Sequence, residues 1–77
     1  HTYYQQALTI FETLGDRAGM ANTYHQLGIL AHDQSDYDTA HTYYQQALTI
    51  FENLGDRVNI ATVRRNLNIL AQDQNDT

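Results

Sequence analysis

The chain has 77 residues with neither cysteine nor proline; a domain this small buries only about 60–65 % of its unfolded surface. The missing thiols exclude disulfides, zinc–thiolate sites and thiol nucleophiles. The net charge is −5 and Arg17, Arg57, Arg64 and Arg65 are the only arginines or lysines, the opposite of a nucleic-acid footprint.

Apolar spacing predicts four helices in chain order. The first covers about residues 1–14 and stops at Gly15. The second runs over 17–33, opened by Asp16, with Met20, Tyr24, Leu27 and Ala31 on one stripe. The third runs over 37–54, capped by Asp36, with Ala40, Tyr44, Ala47, Phe51 and Leu54 stepping four, three, four, three along one face. Gly55 follows it and suits the left-handed position that ends a helix. The fourth, over 57–74, starts after Asp56. No run approaches the eighteen or so apolar residues of a membrane span, and no signal peptide leads the chain. A cytoplasmic location is therefore the default expectation.

The segment HTYYQQALTIFE stands at residues 1–12 and again, unchanged, at residues 41–52. Residues 1–37 laid over 41–77 agree at 24 of 37 positions, a period of 40. Self-similarity at such spacing marks a stacked array in which each unit buries its apolar face on the next. The chain reads as one domain over residues 1–77, with two helix types in the order B-A-B-A.

From Ala21 the residues Ala21, Tyr24, Leu27, Gly28, Ala31, Ser35, Tyr37, Ala40, Tyr44, Ala47 and Leu48 fall into a spaced pattern that resembles the tetratricopeptide repeat. Its usual period is 34 residues. The period of 40 is similar to the longer variants in kinesin light chains and bacterial signalling proteins. The resemblance implies an all-α right-handed solenoid of antiparallel helix-turn-helix units, non-enzymatic and used for protein–protein interaction as a module or scaffold. Two positions depart from the pattern in the last A helix: Arg64 replaces the aromatic Tyr24, and Asn68 replaces Gly28. Gly28, Ala40 and Ala47 are small enough to let helices approach, whereas Asn68 would obstruct a following B helix.

The resemblance places a partner groove on the A-helix face off the packing stripe. That face holds Asn22, His25, Ile29, His32 and Asp33 in the first A helix, and Thr62, Arg65, Ile69, Gln72 and Asp73 in the second. A peptide or protein partner is expected there, with Ile29 and Ile69 giving apolar contacts and the histidines and Arg65 polar ones. His25 and His32 are seven residues apart, about 10 Å along a helix axis at 1.5 Å per residue, which is too far to share a metal ion. No metal, cofactor or catalytic residue is expected. Ser35 is the lone serine, and the glycines form no phosphate loop. Of the tyrosines, only Tyr3 and Tyr43 read as exposed.

The register also leaves two unpaired helices. The first lacks an A partner, opening Tyr4, Ala7, Leu8 and Phe11. The last lacks a B partner, opening Leu67, Leu70 and Ala71. Solenoid ends need covering, so the alternative function is a self-assembly unit, a homo-oligomer joined head to tail or by exchanged helices. The chain opens on His1 and not on methionine, which fits a piece of a longer protein.

Overall fold

The computed structural model describes residues 2–76. The side chains of Thr2, Tyr4 and residues 11–14 are outside that description, so the expectations for Tyr4 and Phe11 fall outside the described residues. Four helices follow in order: α1 (Thr2–Leu14), α2 (Arg17–Asp33), α3 (Tyr37–Leu54) and α4 (Arg57–Asn75). Successive helices pack antiparallel, and α2 against α3 makes the most extensive of the three joints.

Local chemistry sets the helix starts. Asp16, Asp36 and Asp56 each accept the backbone N–H three residues on, from Gly19 (2.8 Å), Thr39 (3.3 Å) and Asn59 (3.2 Å). Each such bond satisfies a donor that the first turn would otherwise leave open. The ends are set as plainly. Gly55 takes φ 69°, and the Asp56 N–H returns to the Phe51 carbonyl at 3.0 Å, a six-to-one closure that needs a left-handed residue. The α2–α3 turn closes in the same way, Asp36 N–H to Ala31 carbonyl at 2.9 Å, with Ser35 at φ 60° in the role of glycine.

The molecule is a slab of 40 × 29 × 13 Å, so its core is shared between neighbouring helices. Ala21, Ala31, Ala40, Tyr44, Ala47, Ile50, Phe51, Val63 and Leu70 form one buried cluster. Burial of its large side chains supplies roughly 1.5–3 kcal/mol apiece. The small residues set the spacing. A Cβ on Gly28 would lie 2.6 Å from both Cδ1 and Cε1 of Tyr44, so only glycine lets α2 rest on that ring.

Several expectations are corrected here. Leu54, placed on the α3 stripe, is exposed in the last turn. Ile50, off that stripe, is buried, because α3 has helices against two sides and hides an arc wider than one row. Leu8 and Leu70, expected at open ends, are buried within the chain itself, and Leu67 packs on the cluster that holds Leu70. Ala71 is exposed and Ala7 partly so. Tyr43 is half-buried, its ring stacked on Tyr24 with centroids 6.1 Å apart.

Candidate functional site

The two A helices, α2 and α4, are joined across their shared face by side chains one position out of step with the repeat. The Asn66 amide donates to His25 Nε2 at 2.5 Å, and His32 Nε2 lies 2.6 Å from Asp73 Oδ2. Both links span 41 residues. Tyrosines of α3 sit behind both histidines. The His25 ring tilts over Tyr44 with centroids 5.8 Å apart, and His32 meets Tyr37 edge-on at 6.0 Å.

This arrangement sets the protonation of His25. With the Asn66 amide as donor, Nε2 must be the acceptor, so the ring is neutral and carries its proton on Nδ1. Burial also holds its pKa below the ordinary value, since an apolar setting disfavours the charged ring. The Tyr44 phenol is pushed up, first by burial and second by the Asp33 carboxylate.

The ten residues expected to meet a partner therefore divide in two. His25, His32 and Asp73 are partly buried where α2 meets α4, and Ile29 is partly buried and packs on the core. Asn22, Asp33, Thr62, Arg65, Ile69 and Gln72 are exposed. The Thr62 hydroxyl is turned inward and donates to the Val58 carbonyl at 3.0 Å. Arg65 and Ile69 are the notable pair. They lie four residues apart on one side of α4, Ile69 is 42 % exposed, and Arg65 has no ion-pair partner among the described residues.

Asn66 joins this face although the sequence reading does not include it, because its role depends on an offset that only the packed helices reveal. In adjacent A helices the residue that meets position n is n + 41, one past the repeat, which pairs His25 with Asn66 and His32 with Asp73.

Stacked antiparallel helix pairs, with a face of paired A helices and no buried side-chain polar atom left unsatisfied among the described residues, define an α-helical repeat protein. The profile of the tetratricopeptide repeat family matches residues 2–53. The chain belongs to that family, whose repeats generally serve as protein-interaction modules and are typically non-catalytic. Comparison with curated proteins and with solved structures found no match. No helix is long and apolar enough, among the described residues, to cross a membrane.

Proposed function

We propose that the α2–α4 face binds a peptide or protein partner, with Arg65 and Ile69 at the centre of the contact. The observation that carries this reading is the exposed pairing, four residues apart on a helix, of an apolar side chain with a cation that has no counter-ion among the described residues. A carboxylate would pair with the guanidinium while an adjacent apolar side chain covers Ile69. The His25–Asn66 and His32–Asp73 links support it by holding the two A helices in fixed register, so little ordering cost is left for binding. The 40-residue period supports a place among the longer-period members such as those of kinesin light chains and bacterial signalling proteins.

Ile29 is a poor probe of this face, because an aspartate there would disturb the core it packs on. Arg65→Glu and Ile69→Asp change exposed positions only. Peptides selected from a displayed random library on the 77-residue chain should shift α2 and α4 amide resonances, and both variants should abolish those shifts. Selected peptides that perturb α1 or the outer side of α3, or that bind both variants undiminished, would remove the proposal.

A further inference from the structure

The helices α2 and α4 do not share one of the three helix joints, so side chains connect them where packed backbone does not. The two links sit seven residues apart on each helix, at His25 and His32 of α2 and at Asn66 and Asp73 of α4, about 10 Å along the axis. Separately, α4 is seated on the core cluster through Val63 and Leu70, which are 0 % and 2 % exposed. The α2–α4 edge is thus a place where the fold can loosen with its core still packed.

Of the two links, that of His25 has no room for a charged ring. Its Nε2 accepts from the Asn66 amide at 2.5 Å, and the Tyr44 ring lies against it with centroids 5.8 Å apart. A protonated imidazole carries N–H on both nitrogens and has no lone pair for that amide. The groups around it offer no counter-charge. Asn66 on α4 is neutral, and its chain neighbours Arg64 and Arg65 are cations. The Tyr44 phenol on α3, pushed up first by burial and then by Asp33, stays uncharged throughout the acid range. Among its described side chains, α1 has no carboxylate, histidine or arginine. Asp33 lies eight residues further along α2, and Asp73 seven beyond Asn66 on α4, about 10–12 Å by helix rise. Burial accordingly holds the His25 pKa below its ordinary value.

We propose that His25 is an acid-released latch between the two A helices: its protonation breaks the bond from Asn66 and frees the α2–α4 edge while α4 stays seated on the core. The consequence for binding rests on the partner-binding reading of that face. A face whose helices leave their fixed register is competent for a smaller fraction of the time, and its apparent affinity falls by that fraction.

Nuclear magnetic resonance on the 77-residue chain tests the latch without any ligand. The Overhauser contact between the His25 ring and the Asn66 side-chain amide should be present at about pH 7.5 and lost at about pH 5, below the ring's titration midpoint. The Tyr44 and Phe51 ring signals should stay dispersed, showing an intact core. Asn66→Asp puts an acceptor where the donor was, so the His25 midpoint should move from below about 6.5 to above it. A histidine-free peptide selected on the chain at neutral pH should bind at least about threefold more weakly at the lower pH. His25→Gln and Asn66→Asp should each remove that loss. A ring contact that persists in acid because the amide has turned over, a midpoint that Asn66→Asp leaves unmoved, or an equal loss of affinity in His25→Gln would each overturn the proposal. If no peptide contacts α2 and α4 at either pH, the binding reading falls, and the ring contact and midpoint decide the latch by themselves.

Discussion

His32 and Asp73 are 41 residues apart in the chain and 2.6 Å apart in space, their side chains 18 % and 48 % exposed. The contact joins two helices that are not neighbours in sequence and so links successive repeats. Because the carboxylate is half in water, the coupling energy in a His32→Ala/Asp73→Ala double-mutant cycle should be modest, about 0.5–1 kcal/mol. A coupling indistinguishable from zero by thermal melts would mean that the pair orients the helices without stabilising them.

Gly28→Ala tests the closest helix approach. Alanine is the better helix former by roughly 1 kcal/mol, so helix propensity alone favours the change. Packing opposes it. The new methyl would meet the Tyr44 ring at 2.6 Å, and that ring is 1 % exposed with no open side to move into. Overpacking of this kind costs about 1–3 kcal/mol. The expected outcome is a lowered melting temperature, and an unchanged or raised one would show that the ring yields.

How far the sequence disclosed these features depends on their range. The Asp caps and Gly55 are legible because each acts within one turn of chain. Gly28 is legible as a small residue in a row of large ones, although only coordinates show that its partner is Tyr44. The stripe reading finds Tyr44, Phe51 and Leu27 in the core yet misses Val63, Ala21 and Ile50, since a single row cannot represent a helix packed on two sides. His25 and His32 look like free polar positions on a helix wheel. Their partners Asn66 and Asp73 are visible only once the one-residue offset between adjacent repeats is known.

The stability should depend on pH through His25. Its folded pKa lies below the ordinary value of about 6.5 because burial disfavours the imidazolium. The unfolded chain therefore binds more protons between the two pKa values. The stabilisation is complete above about pH 6.5 and is lost as the pH falls toward the folded pKa. Protonating the ring also costs Nε2 its role as acceptor from Asn66. The comparison is best made in an Asp73→Asn background, where the His32–Asp73 contact is removed. There the melting temperature should fall between about pH 7.5 and about pH 5.5, and His25→Gln should flatten that fall. An equal fall in both proteins would assign the effect elsewhere.

The three cap aspartates should differ in cost. Asp16→Ala and Asp36→Ala each remove one N-terminal bond at an exposed position, a loss of about 1 kcal/mol. Asp56 accepts two bonds from Asn59, from the backbone N–H at 3.2 Å and from the side-chain amide at 2.6 Å, in a part-buried setting. Asp56→Ala should therefore lower the melting temperature most of the three. Equal shifts would indicate that the Asn59 amide finds water as good a partner as the carboxylate.

The duplicated B helix provides an internal control for amide exchange. Ile10 and Ile50 follow the same nine residues, so intrinsic exchange rates and local helical preference nearly cancel between them. Ile50 is buried in a helix packed against two others, whereas Ile10 is more than half exposed. The ratio of their protection factors, read from one sample in one experiment, isolates what tertiary cover adds to a helix of fixed sequence.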